Sequence, residues 1–512
     1  MTTHDRSAPG PGSDYLNILS GTSQNIIGIV IAALATFAAQ IVLSRALGRE
    51  GFGVVTVITQ GTFVLSFITR VGMDFAVLRD VAVEVGVGKH QRIRSLVARA
   101  AAIAGLASLA CAVLIWVGAD AVQKLFPSIG DERGEWVVEA AAVGLPFLAL
   151  ANVWLSATRG LKIMRYTLYV FWAGQPVLWV LIMIVALPLQ KTTWMGVLAY
   201  SLSWVWAAVV SYYFWRRESR AWEAAPLETG DMGRLMRYAG PRAPAALFAQ
   251  LLFWTDLFVV TRYVSASEVG IYSAVLRAGQ VIVLFLTSVS LMFSPYVADL
   301  HNRGETERLD KLFKRLTRWT LAATIPVFLL LVVAPEAVLQ IFGRGFEGGE
   351  AALLIVLAGQ LINIATGSVG FVLIMVGRTG WDLVVYAGSL ALNLALAFWL
   401  CPRYGIEGAA VANAVTFALS KWARLALVRR FVRIQPYDRD YARLIVPSLV
   451  GLAVMWVVHE AVTAGYLVDL LATGAIGSSA YLAAYLTLGL TAEEKRGLSA
   501  LRSRFTKSRG AG

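Results

Sequence analysis

Fourteen apolar stretches of membrane-crossing length run from Gly21 to Gly489, and the lysines and arginines gather in alternate gaps between them. Hydrocarbon about 30 Å thick needs roughly 20 helical residues rising about 1.5 Å each. The spans read as approximately 21–44, 52–71, 98–118, 137–156, 166–187, 193–215, 240–261, 270–294, 318–340, 351–376, 381–401, 408–428, 443–463 and 467–489. The expected fold is an all-α polytopic membrane protein of about 14 transmembrane helices.

The charge pattern orients it. Taking the even-numbered gaps and both termini as one side collects roughly 36 of the 45 cations, among them Arg79, Lys89, Arg92, Arg159, Arg216, Arg217 and the tail from Lys495. The other side holds only Arg45, Arg49, Lys124, Arg133, Lys191, Arg262, Arg344 and Arg403. Positive loops stay cytoplasmic, so both termini are expected inside a bacterial inner membrane. The net charge of +13 then reflects topology, and no nucleic-acid partner is expected. With 58% hydrophobic residues there is little room for a soluble domain. Cys111 and Cys401 are far apart and suggest neither a disulfide nor a thiolate metal site. The start, with Pro9 to Gly12, reads as disordered and lacks a signal-peptide pattern, so the first span should direct its own insertion.

An internal repeat organises the chain. Arg45-Ala-Leu-Gly-Arg-Glu-Gly-Phe-Gly-Val between spans 1 and 2 parallels Arg262-Tyr-Val-Ser-Ala-Ser-Glu-Val-Gly-Ile-Tyr after span 7. Gly53 then corresponds to Gly270, and the basic loop 79–99 to 298–318. An even number of spans separates the copies, so the halves share one orientation about an axis along the membrane normal. Spans 13 and 14 stand outside the duplication. The expected division is 1–20, a cytoplasmic disordered N-terminus; 21–217, an N-lobe of six spans; 218–239, a cytoplasmic linker; 240–430, a C-lobe of six; 431–490, spans 13 and 14; and 491–512, a basic tail. Residues 305–319 carry Leu309, Leu312, Phe313 and Leu316 on one helical face and Arg308, Lys311, Lys314 and Arg315 on the other. That pattern predicts a helix lying on the inner leaflet.

The Arg45 to Gly53 turn, Ser267-Glu-Val-Gly-Ile-Tyr-Ser-Ala274, Ile341-Phe-Gly-Arg-Gly-Phe346 and Arg403-Tyr-Gly-Ile-Glu-Gly-Ala-Ala410 occur in this order along fourteen spans. In this the chain resembles the multidrug/oligosaccharidyl-lipid/polysaccharide exporter superfamily, in particular its polysaccharide-biosynthesis branch of oligosaccharide-lipid flippases. The resemblance implies two six-helix lobes around a central polar cavity that rock between inward- and outward-open states, with spans 1, 2, 7 and 8 lining the cavity and its lateral opening.

A charge at mid-bilayer costs at least about 2.5–3.5 kcal/mol, so one that is retained faces protein or water. Asp256 in span 7 and Arg277 in span 8 are such residues. Counted from the outer ends of their spans they lie at one depth, where they would meet as an ion pair or serve a substrate phosphate, with Asp256 orienting Arg277 or carrying a coupling proton. Arg45 and Arg262 end equivalent spans at the outer face and Arg70 ends span 2 at the inner face; all three either snorkel to lipid phosphate or serve the substrate. Gln24, Asn25, Gln40, Gln60, Gln250 and Gln280 add neutral hydrogen-bonding groups to the same four spans, for helix contacts or for sugar. Pro176, Pro241, Pro244, Pro326 and Pro447 can bend their spans.

Enzyme signatures fail. Gly86-Val-Gly-Lys89 lacks the spacing and the hydroxyl of a phosphate-binding loop, and Asp438-Arg-Asp440 sits in a short cationic loop with no nucleotide-binding domain. His4, His90, His301 and His459 are scattered; no metal or cofactor is expected. The leading expectation is a flippase that moves a polyprenyl-diphosphate-linked oligosaccharide from the inner to the outer leaflet for surface polysaccharide assembly (O-antigen, capsule or exopolysaccharide). Its partners would be membrane lipids, a polysaccharide polymerase and glycosyltransferases. A cation-coupled drug exporter and a lipid II flippase of the same superfamily are the alternatives; a membrane glycan polymerase would need a longer outer loop.

Overall fold

A computed structural model describes residues 11–86, 92–125, 134–222, 231–491 and 494–495, with the side chains of 11–32 and of a few other helical positions outside the description. Every regular element among them is helical, as lipid requires of a segment that must satisfy its own backbone. The first half comprises α1 (Pro11–Thr69), α2 (Met73–Gly86), α3 (Ile93–Val117), α4 (Ala119–Leu125), α5 (Gly134–Gly160), α6 (Arg165–Thr167), α7 (Gln175–Ala186) and α8 (Thr193–Glu218). The second comprises α9 (Asp231–Val260), α10 (Ala266–Val281), α11 (Val283–Asn302), α12 (Thr306–Val333), α13 (Pro335–Gln340), α14 (Glu350–Ala365), α15 (Val369–Met375) and α16 (Thr379–Phe431). Two helices follow, α17 (Ile445–Ala461) and α18 (Tyr466–Ala484).

Two of these helices are hairpins. Phe37 and Phe52 would stand about 22 Å apart on a straight helix at about 1.5 Å per residue. Their rings nevertheless lie 5.4 and 6.0 Å from that of Phe342. The chain doubles back at Gly48, whose φ of 69° a side chain would resist. Trp381 and Phe431, about 75 Å apart on a straight α16, have ring centroids 6.1 Å apart because Gly405 makes the same reversal at φ 56°. Among the described residues eleven helices are long and apolar enough to cross a membrane, the hairpins Ala33–Thr69 and Thr379–Phe431 counting once each, and α9 contributes the shorter apolar run Ala246–Val260. The expected fourteen crossings take each hairpin as two and α9 as one.

The repeated turns meet. A Cβ on Gly53 would lie 2.7 Å from the Gly270 nitrogen, so the glycines matched by the repeat pack backbone to backbone. Ser265 caps α10: its hydroxyl accepts from the Glu268 amide while the Glu268 carboxylate accepts from the Ser265 amide at 3.0 Å. This box starts α10 four residues earlier than the span read from hydropathy.

Three further differences have physical causes. First, α1 begins at Pro11, so helix extends into the stretch expected to be disordered; residues 1–10 and 496–512 lie outside the described residues. Second, residues 306–319 form no separate surface helix but the first turns of α12, with Leu309, Leu312, Phe313 and Leu316 buried against Phe293, Val297 and Val428. Helical spacing was right, but the apolar face has protein to bury against rather than lipid. Third, α9 is shared: Leu235 and Ala239 pack with Met73, Val77 and Trp215 of the first half, and Phe253 meets Phe417 of the second edge to face at 5.2 Å. The expected linker 218–239 thus runs into α9, with 223–230 outside the described residues. Spans 13 and 14 pack on α12, where Tyr481 donates to the Ala322 carbonyl at 2.9 Å.

Candidate functional site

The earlier start of α10 separates the two intramembrane charges. Arg277 lies about 16 Å along α10 from Ala266, close to the middle of hydrocarbon about 30 Å thick. Asp256 lies about 6 Å from the end of α9 and Tyr272 about 9 Å from the start of α10. At that shared level the Tyr272 hydroxyl donates to Asp256 Oδ2, and Asn413 Nδ2 donates to the same oxygen at 3.0 Å. Asp256 is fully buried and its Oδ1 has no partner. The expected Asp256–Arg277 ion pair therefore does not form: the charges stand about two turns apart in depth. Asn393 and Thr416, on the two arms of the α16 hairpin near the level of Asn413, are also buried with unpartnered polar atoms.

Arg277 is only partly buried, and its Nε is enclosed without a partner. Its guanidinium stands 4.9 Å from the Trp254 ring and within electrostatic reach of Tyr200 on α8. Tyr272 and Arg277 are five residues apart, about 140° around the helix at about 100° per residue. One face of α10 therefore serves the second half and the other meets the first. Desolvation of a cation beside aromatic faces is tolerated through the ring quadrupole, and no acid pairs with Arg277 among the described residues.

The remaining arginines differ. Arg70 is buried and saturated: Nη1 donates to Asp74 at 2.8 Å, Nε to the Ser66 carbonyl at 3.0 Å, and the guanidinium sits 4.0 Å over Phe67. Arg45 donates from Nε to the Ile341 carbonyl at 2.9 Å and from Nη2 to the Tyr466 hydroxyl at 2.5 Å. Arg262 is exposed in the turn after α9. Gln40 is buried with Oε1 unpartnered, while Gln60, Gln250 and Gln280 are half-buried. Gln24 and Asn25 lie in α1, but their side chains are outside the described residues. Sequence reasoning did not single out Tyr272, Asn413, Trp254 or Tyr200, nor the second inner pair, Arg424 Nε to Asp382 Oδ1 at 2.8 Å. A buried Asp in one span does, however, demand donors from others, and the asparagines of α16 were visible for that purpose.

The fold is that of an all-helical, multi-pass membrane protein whose halves meet around buried polar groups, and its sequence matches place the chain in the multidrug/oligosaccharidyl-lipid/polysaccharide exporter superfamily. Within it, the profile described as polysaccharide biosynthesis protein matches residues 18–301, and that described as MatE matches 241–399. The chain belongs to the polysaccharide biosynthesis protein family. A putative O-antigen transporter of Shigella flexneri is 22% identical over 79% of this chain and 96% of its own length. A probable low-salt glycan biosynthesis flippase, Agl15 of Haloferax volcanii, is 23% identical over 43% of this chain, which spans 47% of that relative's length. The fold is like that of lipid II flippase MurJ in an inward closed conformation, with a TM-score of 0.71 and 14% identity over 90% of this chain and 98% of that one. It is also like an inward-facing MATE family multidrug resistance transporter, with a TM-score of 0.63 and 14% identity over 78% and 94%.

Proposed function

We propose that this chain flips a polyprenyl-diphosphate-linked oligosaccharide from the inner to the outer leaflet by alternating access, and is not an enzyme. The observation that carries the reading is Arg277, a mid-bilayer cation at the meeting of the two halves with no acid to neutralise it among the described residues. An anionic headgroup is the counter-ion such a group lacks. Sugars and diphosphate cannot shed water into hydrocarbon without large cost, and half-buried Gln60, Gln250 and Gln280 offer hydrogen bonds near the same helices. Lobes 21–217 and 240–430 would rock against each other across the axis that relates them, and the Gly53–Gly270 contact lies on that axis because equivalent residues of a two-fold repeat touch only where it runs. The names of the Shigella and Haloferax relatives support the glycan assignment.

A drug exporter would need an acid open to a cationic guest, and Asp256 instead holds Tyr272 and Asn413 out of contact with solvent. Its unpartnered oxygen suits a coupling proton or cation. The alternation of basic loops supports an inner-membrane location with cytoplasmic termini.

The test is reconstitution of the purified chain in liposomes with the lipid-linked oligosaccharide, following its appearance in the opposite leaflet with a membrane-impermeant glycosidase. Flipping by the wild type and none by Arg277→Glu are expected. Unchanged flipping by Arg277→Glu, or expulsion of cationic dyes in place of the glycan lipid, would sink the assignment.

A further inference from the structure

The α17–α18 hairpin stands outside the sequence repeat, yet it is fastened along its length to the second half. Tyr481 bonds the Ala322 carbonyl, Gly451 sits against Leu329 and Gly474 against Leu330. At the inner end Glu494, ten residues beyond the end of α18 at Ala484, takes hydrogen bonds from Arg318 and Trp319 of α12. At its outer tip the hairpin does something else. Tyr466, the first residue of α18, bonds Arg45 of the first half at 2.5 Å. Around that bond, Ser44 Oγ donates to the Phe342 carbonyl at 2.7 Å, Arg45 Nε to Ile341 at 2.9 Å and Arg49 Nη1 to Gly345 at 3.0 Å. Every one of these donors belongs to the first half and every acceptor to the second or to α18. The tip itself is braced: His459 of α17 meets Asp469 of α18 at 2.9 Å, and Thr473 donates to the same carboxylate at 2.9 Å, fixing Tyr466 across the short turn through Gly465.

We infer that α17 and α18 form a strap, anchored in the second half, that holds the outer face shut by clasping Arg45 through Tyr466. Arg45 is then a closure residue whose donors are spent while the outer face is sealed, and substrate meets it only after the clasp breaks. A bond across the boundary stabilises the closed state alone, so its loss shifts the equilibrium toward opening. The strap rests on the two-lobed carrier reading, since it has meaning only if the outer face opens.

The experiment uses the full chain in nanodiscs without any glycan, on a Cys111→Ser, Cys401→Ala background, with spin labels at Lys124→Cys and Arg344→Cys, one on the outer side of each half. Pulsed electron spin resonance reads the distance distribution. Tyr466→Phe and Arg45→Lys should each raise the long-distance, outer-open fraction severalfold. Tyr481→Phe, which cuts a hydrogen bond inside the second half, should lower the melting temperature without moving that fraction. Gly53→Leu serves as a wedge, because a side chain there meets the Gly270 backbone. If Gly53→Leu opens the outer face but Tyr466→Phe and Arg45→Lys do not, the strap is wrong and the carrier stands. A closed distribution in every variant, the wedge included, overturns both.

Discussion

The arginines paired with Asp74 and Asp382 and the arginine deep in α10 are chemically the same group in opposite circumstances. Arg70 and Arg424 are buried against Asp74 and Asp382 at 2.8 Å, each with an aromatic ring beneath it, Phe67 or Tyr386. Arg277 has a ring, Trp254, but no carboxylate among the described residues. A paired buried charge is part of the scaffold, since removing one partner strands the other in a poor solvent. An unpaired one is costly to the scaffold, and its retention points to a partner that arrives from outside. On the proposed function, the pairing, more than depth or residue type, separates scaffold from site.

That contrast can be broken in several ways. The largest effect should come from Arg277→Glu, which reverses a mid-bilayer charge that has no acidic partner among the described residues. Flipping in liposomes should fall by about 100-fold or more, the order of a lost charge-assisted contact plus repulsion, while the melting temperature of the detergent-purified protein stays near wild type. The inner pairs should behave the other way. Arg70→Ala or Arg424→Ala should cost about 3–5 kcal/mol by leaving a buried aspartate alone, read as a drop in thermal stability, and the properly folded remainder should still flip. Asp256→Ala should be intermediate. Two donors, Tyr272 and Asn413, lose their acceptor at about 1–3 kcal/mol each at most, and if the carboxylate also carries the coupling ion, ion dependence of flipping disappears with it.

The sign of the site also predicts a response to voltage. An inside-negative potential drives an anionic headgroup outward by about 2.3 kcal/mol per charge per 100 mV and returns an empty cationic site inward. Liposomes clamped with a potassium gradient and valinomycin should therefore flip faster than depolarised ones, and Arg277→Gln should blunt the difference.

The smallest effect concerns Glu494. Burial pushes its carboxyl up, but the hydrogen bond from the Thr491 backbone, with Trp319 and Arg318, holds it below the ordinary glutamate value. A carboxyl depressed in the folded state stabilises fully above its unfolded value of about 4.3 and loses that contribution as pH falls through the folded one. Melting temperature should thus fall slightly more steeply below about pH 4.3 in wild type than in Glu494→Gln, which has no proton to gain.

Much of this architecture was legible because lipid imposes a crude rule. Apolar runs mark candidate crossings without any knowledge of partners, and the repeat matched Gly53 to Gly270, which the structure places in contact. The depth of Arg277 was misjudged although its correction was written in the sequence: Ser265 and Glu268 have capping-box spacing, and that start pushes Arg277 about one turn deeper. The amphipathic turns at 306–319 misled for a different reason, since periodicity shows that a face must be covered and is silent on what covers it. The Asp256–Asn413 bond joins positions more than a hundred residues apart, as does the clasp from Arg45 to Tyr466. Such pairings depend on how helices are arranged laterally, which hydropathy does not encode.

The reversals at Gly48 and Gly405 lie on one face, for Gly405 sits beside Val264 and the turn after Gly48 brings Gly53 against Ala266. Where the chain turns around a single glycine, no flexible arm extends beyond the lipid headgroups. Trypsin supplied to that face of a sealed vesicle would find Arg45, Arg49 and Arg403 beside tight bends, whereas on the opposite face it would meet the stretch with Arg216, Arg217 and Arg220 at the end of α8. The asymmetry of digestion would report sidedness with no tag or label.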